Sequence, residues 1–310
     1  MINFWKSSAN SFEKTDTITR HCWVDVTNPT QTEIGFLSNR LKIPIDLIQD
    51  VLDIDERSRA ELDEGWFFLI IRIPLHQEDN RIPYITVPLG IFISRNAIVT
   101  ICAYENEIVR NLIHLAKLFK ISTLEPSGFV LQGFLISAMW FLRYLKQINI
   151  HINMIERELE KSTRNKELQY MLRMEKCLVY FISSLRANAL VLERVRNSKI
   201  AQNQDFDEDL LEDAIIENRQ AIEMANIYSD IQSGMMDAFA SVIGNNQNMI
   251  MKQLTLVSII LMIPTLIASL YGMNVPNGLE TNAYAFVGII SVSVILAIVG
   301  VLFFKRFKWF

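Results

Sequence analysis

The residues best placed to handle an ion are Gly272, Met273 and Asn274. They follow an uncharged apolar run at 254–271 and precede a second at 284–304. A glycine permits close backbone approach and can end a helix in a left-handed conformation. An asparagine offers a neutral carbonyl oxygen. A polar tripeptide at the mouth of an apolar hairpin suits ion passage better than anchoring alone. Mg²⁺ prefers hard oxygen ligands and gives up its water reluctantly. A ring of such oxygens, one from each of several copies, would suit a hydrated divalent cation and make a poor trap for a bare soft metal.

Seven more residues recur at alternating spacings of three and four: Asn248, Met251, Thr255, Ser258, Met262, Thr265 and Ser269. On a helix that spacing puts them on one face. The other faces are Leu, Ile and Val. A polar face on a membrane helix turns towards other helices or towards water. Both readings, helix packing and pore lining, fit this stripe. Two helices cannot enclose a polar path, so a pore would need several copies around a symmetry axis. The stripe carries no charge, so an ion passing it would keep much of its water.

Enzyme chemistry finds no footing. His21, His76, His114 and His151 are scattered, with no nucleophile or metal-ligand spacing. No glycine-rich phosphate loop appears, and no organic cofactor is expected. Cys22, Cys102 and Cys177 are widely separated and odd in number, which reads as buried thiols in a reducing compartment. The net charge of −4 over 310 residues gives no basis for nucleic-acid binding.

The elements that would position these residues follow from hydropathy. A bilayer core needs about 20 apolar residues in a helix, and the two C-terminal runs are of that order. Lys252 precedes the first run, while Lys305, Arg306 and Lys308 follow the second; the loop 275–283 has neither Lys nor Arg. The positive-inside rule then predicts both termini in the cytoplasm and the loop outside. Trp309 and Phe310 suit an interfacial anchor. The start of the chain lacks the apolar core of a signal peptide. A further apolar stretch, 129–142, contains Gln132 and Ser137 and reads as a buried helix of a soluble domain.

The fold class expected is an α+β cytoplasmic domain followed by long stalk helices and a two-helix transmembrane hairpin. The domain limits are 1–125, 126–248 and 249–310. Strands are predicted at 20–26 and 66–74, the latter central. A hairpin is predicted at 84–94 and 97–103 around Arg95-Asn96. Helical periods occur at 30–40, 44–53 and 105–118. From 129 to Pro264 the chain reads as long helices with one break, Asn197–Asp209, where Asp205 and Asp207 can cap the next helix. Residues 141–200 carry 12 Lys/Arg against 6 Asp/Glu, and 205–237 carry 10 Asp/Glu with a single Arg219. Neighbouring helices of opposite sign would form a salt-bridged pair, or part of the acidic face would meet cations.

At this point the chain resembles the CorA family of divalent-cation transporters. The resemblance is sharpest at 234–239 (GMMDAF), 248–256 (NMIMKQLTL), Pro264, 271–274 (YGMN) and 305–310 (KRFKWF); 23–29 (WVDVTNP) and 87–101 fit more loosely. It implies a funnel-shaped homopentamer in the inner (plasma) membrane and channel-like uptake of Mg²⁺, with Co²⁺ and Ni²⁺ often accepted. It also implies that Gly272, Met273 and Asn274 form the outer filter. Asn248, Met251, Met262 and Thr265 match pore-facing positions, and Leu254 a constriction beside Thr255. Asp237 matches an acidic position facing the axis, and Asp213 a carboxylate that helps bind regulatory Mg²⁺ between subunits. Many members follow the signature with Met-Pro-Glu-Leu; here the loop reads Val275-Pro276-Asn277-Gly278-Leu279-Glu280-Thr281-Asn282. The alternatives are a zinc-transporting member of the same family and a membrane-anchored sensor that transports nothing.

Overall fold

The computed structural model describes residues 1–8, 11–63, 66–77, 82–119, 121–161, 165–198, 206–273, 278 and 284–306. The chain divides into two compact units, Met1–Met236 and Asp237–Phe310.

The first unit is built on a seven-stranded sheet of order β2-β1-β3-β7-β6-β5-β4. Its strands are β1 (Ile2–Ser8), β2 (Ser11–Thr15), β3 (Cys22–Thr27), β4 (Arg59–Asp63), β5 (Trp66–His76), β6 (Tyr84–Ile93) and β7 (Ala97–Cys102). Only β3 and β7 pair in parallel; the other neighbours are antiparallel. The β6–β7 hairpin turns at Arg95-Asn96 as expected, with Ser94 N–H donating to Ala97 O at 3.0 Å. β5 is interior, but the middle place belongs to β7. The β1–β2 hairpin and β4 were not expected. Charged residues such as Lys6, Glu13, Lys14, Arg59 and Glu61 interrupt the apolar alternation there, as edge strands require.

Strand alternation sends side chains to two cores. Val24, Val26, Phe68 and Ile70 pack under α1 (Gln31–Leu41) and α2 (Ile45–Leu52). Trp23, Leu69, Ile71 and Ile91 pack against α3 (Glu107–His114), α5 (Pro126–Lys161), α6 (Asn165–Arg196) and α7 (Glu208–Tyr271). A short α4 (Ala116–Phe119) lies between α3 and α5. Trp23 is fully buried between Phe12 and Phe129, ring centroids 5.0 and 5.1 Å away. This seats the start of α5 on the sheet. The stretch 129–142 is accordingly core. The apolar window of α5 is 72% buried within the fold, whereas those of α7 and α8 (Ala285–Arg306) are only 6% buried. Cys22, Cys102 and Cys177 are buried and free.

The helical layer differs from expectation in two ways. Asn197–Asp209 is not the only break, because α5 ends at Lys161 and α6 begins at Asn165. Phe141 of α5 meets Phe181 of α6 at 4.9 Å, so the two helices fold back on each other. The sequence at 162–167 is polar and carries no Pro or Gly to signal a helix end. Secondly, no ion pair joins α6 to α7 among the described residues; every ion pair lies elsewhere. Buried Ala214, Asn218, Ala221, Ala225 and Gln232 form one face of α7. Asn218 Nδ2 donates to Leu185 O at 3.1 Å, and Gln232 Nε2 donates to Met171 O. Both pairs sum to the same residue number, so α7 runs antiparallel to α6 without slippage. Small apolar residues and two amides hold this interface, while the charges stay in solvent. Asp207 caps α7 as expected, accepting from Leu210 N at 2.9 Å; Asp205 lies outside the described residues.

Candidate ion pathway

The second unit contains the membrane half of α7 and all of α8. Leu256 is buried, and Ile260, Ile263, Ile267 and Tyr271 are partly shielded. They form one side of α7. Ile263 Cδ1 lies 3.7 Å from where a Cβ on Gly300 would sit, so this side faces α8. On α8 the shielded residues are Ala285, Ile289, Ser293, Ala297, Gly300 and Phe304. The small residues Ser293, Ala297 and Gly300, at spacings of four and three, let the two backbones approach, as membrane helix pairs commonly require. The small residues at 293, 297 and 300 are the signal of this seam in the sequence.

The polar stripe lies on the other side. At about 100° per residue its mean direction is about 150° from the α8-facing side. Asn248, Met251, Thr255, Ser258, Met262, Thr265 and Ser269 are all exposed on the single chain, as is Leu254. Met262, at 68%, is among the most exposed apolar residues of the helix. The stripe therefore serves no packing within the hairpin. Bilayer hydrocarbon is a poor solvent for the amide and hydroxyls among them, which favours placing this face against other copies or water.

The hydroxyls have a defined polarity. Thr255 Oγ1 donates to Met251 O at 2.8 Å, Ser258 Oγ to Leu254 O at 2.9 Å, and Thr265 Oγ1 to Leu261 O at 2.8 Å. Their protons are spent on the helix backbone. What they present outward is oxygen lone pairs, able to accept hydrogen bonds from water or from the shell of a hydrated cation. A bare cation would also be attracted, but three scattered neutral oxygens cannot replace a Mg²⁺ hydration shell.

Pro264 lies inside α7, which continues through it to Tyr271. Gly272 closes the helix, its N–H donating to Ala268 O at 2.9 Å. It does not adopt a left-handed conformation; Gly278 is the positive-φ glycine among the described residues. A Cβ at 272 would stand 3.2 Å from Ala268 O, a tight contact with a backbone oxygen of its own helix. A backbone oxygen within a helix cannot easily move aside. Met273 is exposed at 53%. Asn274, most of the loop 275–283, and Lys308, Trp309 and Phe310 lie outside the described residues.

Asp213 and Asp237 belong to different units. Asp237 is exposed on α7 in the second unit. Asp213, in the first unit, is exposed on α7 beside a groove of about 620 Å³ that Glu217, Arg143 and Lys146 also line. Its carboxylate makes no ion pair among the described residues. Nor do those residues contain any group of three or more His, Cys, Asp or Glu able to hold a metal ion. The described residues of one chain thus supply too few ligands for a tight divalent site at Asp213, and a second copy would have to add to them.

A match to the family described as CorA-like Mg²⁺ transporter protein spans residues 19–306. The chain belongs to this family. It is 30% identical over 299 residues to the cobalt/magnesium transport protein CorA of Methanocaldococcus jannaschii, covering 94% of this chain and 92% of that one. The corresponding Thermotoga maritima protein is 22% identical over 93% of this chain and 83% of its own. Among solved structures, the complete M. jannaschii CorA magnesium transporter matches with a TM-score of 0.82 at 27% identity, covering 100% and 99% of the two chains. The full-length CmaX protein, at 12% identity and a TM-score of 0.69 over 100% and 98%, shares the fold. The CorA family consists of ion transporters, so the expectation that this chain is no enzyme stands.

Proposed function

We propose that this protein is a channel-like Mg²⁺ uptake system that also accepts Co²⁺ and Ni²⁺. The observation that carries this reading is the exposed polar stripe on α7, turned away from α8 and presenting hydroxyl oxygens. Five copies around an axis in the inner membrane would bring five stripes together, with Asn248, Met251, Leu254, Thr255, Ser258, Met262, Thr265 and Ser269 along the path. Gly272, Met273 and Asn274 form the outer filter, where a ring of neutral oxygens reads the hydration shell. Both termini lie in the cytoplasm, and residues 126–248 form the stalk. The names of the M. jannaschii and T. maritima relatives support this choice of cargo.

An inside-negative potential drives a divalent ion inward by about 4.6 kcal/mol per 100 mV, twice the single-charge value. No ATP is consumed. Regulatory Mg²⁺ at the acidic stalk, through Asp213 and Asp237, favours a closed state by binding it more tightly than the open one. Flux into liposomes of purified protein, with Mg²⁺, Co²⁺ and Zn²⁺ in turn, tests the reading. Asn274→Ala abolishes uptake while the oligomer remains assembled, and Asp213→Ala weakens inhibition by internal Mg²⁺. Uptake that survives Asn274→Ala removes Asn274 from the filter. Zn²⁺ flux that exceeds Mg²⁺ flux assigns the chain a zinc role instead, and no flux at all leaves a membrane-anchored sensor.

A further inference from the structure

Away from the ion path, Asp25 is a buried acid with no assigned task. It lies on β3 with 6% of its surface exposed and forms part of the wall of a crevice of about 640 Å³. The crevice opens where the carboxyl ends of β3 and β7, the one parallel pair of the sheet, meet the start of α3. Such switch points are where α/β sheets leave room for ligands. Asp25 stands between Asn3 and Thr100 in the cross-strand register. Thr100 Oγ1 donates to Asp25 Oδ1 at 3.2 Å and itself receives Trp23 Nε1–H at 2.9 Å. The Asn3 side chain supplies a second hydrogen bond. A carboxylate can accept about four. No ion pair reaches Asp25 among the described residues, and burial pushes its pKa up to about 6. At neutral pH it is a mostly buried anion without a direct counter-ion, an arrangement that costs stability unless something fills it.

The Met1 ammonium lowers the Asp25 pKa through space, but it makes no hydrogen bond or ion pair to Asp25, and the charged groups nearby are bonded to other partners. Arg110 of α3 is held by Glu105 at 2.6 Å and Glu107 at 3.1 Å. The Met1 amino group donates to Thr27 O at 2.7 Å and to Glu33 of α1 at 3.2 Å. The first turn of α3 is answered by the Asn106 cap and by Glu107. The wall of the crevice is therefore electronegative at Asp25. Trp5 and Tyr104 line the same space, and aromatic faces beside a carboxylate are the usual means of recognising an organic ammonium. A metal ion fits less well, because Glu105 is committed to Arg110 and no three-ligand cluster exists among the described residues.

We propose that this crevice binds a small organic ammonium ion, with Asp25 as its counter-ion and Trp5 and Tyr104 as its walls. This site is independent of the transport reading. Titration calorimetry of the full-length protein in detergent with putrescine at pH 7.5 gives saturable binding. Asp25→Asn, which keeps the shape, weakens it at least tenfold, Tyr104→Ala weakens it several-fold, and binding fades towards pH 5 as Asp25 gains its proton. If Asp25→Asn fails to fold, Tyr104→Ala and the pH series still decide the matter. Absence of putrescine binding, binding indifferent to both substitutions, or full displacement of putrescine by equimolar Mg²⁺ each overturns the proposal.

Discussion

Replacing Asn188 with leucine should loosen the sheet from the helical layer more than any exposed substitution on α6. Asn188 is 1% exposed. Its Nδ2 donates to Arg72 O at 2.7 Å, and its Oδ1 accepts from Arg72 N at 2.9 Å and from Ser58 Oγ at 2.9 Å. The pairing of β4 with β5 stops at Arg59↔Ile70. Beyond it, the β5 edge at Arg72 has no strand partner on that side. Asn188 completes the ladder by presenting an amide in place of a peptide. Leucine has a similar volume and no polar atom, so Asn188→Leu strands one backbone donor, one backbone acceptor and a serine hydroxyl. A buried backbone group left unmet costs about 1–3 kcal/mol, so the two together cost about 4 kcal/mol. For a unit of this size that lowers the melting temperature by about 10 °C. Thermal unfolding of the purified protein, followed by near-ultraviolet circular dichroism, measures it. Hydrogen exchange at the Arg72 amide reports the local opening. Asn226→Leu is the control: its exposed contact with Arg186 is 3.3 Å long, and its cost should stay within about 0.5 kcal/mol. Equal melting of the two variants, with Arg72 protection unchanged, would refute the strand-completing role.

Two further outcomes follow from particular contacts. Gly90→Ala places a methyl against both Val51 methyl groups, so it should destabilise by about 1–3 kcal/mol; adding Val51→Ala should restore most of the loss in denaturant titrations. Asp25 has a folded pKa raised to about 6 from 3.8, so the folded state holds a proton that the unfolded state has released. Its contribution is fully present below pH 4 and lost as pH rises through 6, a change of about 3 kcal/mol. Asp25→Asn should remove that slope when stability differences are measured from pH 4 to 8, and a difference that is flat across this range would show that Asp25 is not the group responsible.

Several features were legible because they are local. The β6–β7 hairpin announces itself by two β-branched runs around Arg95-Asn96, and the membrane hairpin by two uncharged runs with flanking cations. The length of 129–142 distinguished a buried helix from a span. Other features were illegible for equally physical reasons. β1, β2 and β4 are edge or near-edge strands whose charged residues erase the period. The fold-back after Lys161 lacks a breaker. The α6–α7 contact hid behind a charge asymmetry that suggested salt bridges, while alanines and two amides carry it. At Gly272 the close backbone approach open to glycine is present, to a carbonyl of its own helix, whereas the left-handed conformation is not.

By itself the sequence determined the two apolar helices, the polar stripe and the Gly-Met-Asn signature, and with them the family. Each depends on hydrophobicity and spacing within a few turns of one helix, which residue order encodes directly. Only the tertiary structure decided which way the stripe faces, because that depends on which side of α7 the seam of α8 covers. It alone joined Asn188 to Arg72 across 116 residues, and set Asp25 between strands distant in the chain. Partners so far apart leave no mark in a local pattern, since burial and hydrogen bonding are settled when the sheet and helices meet.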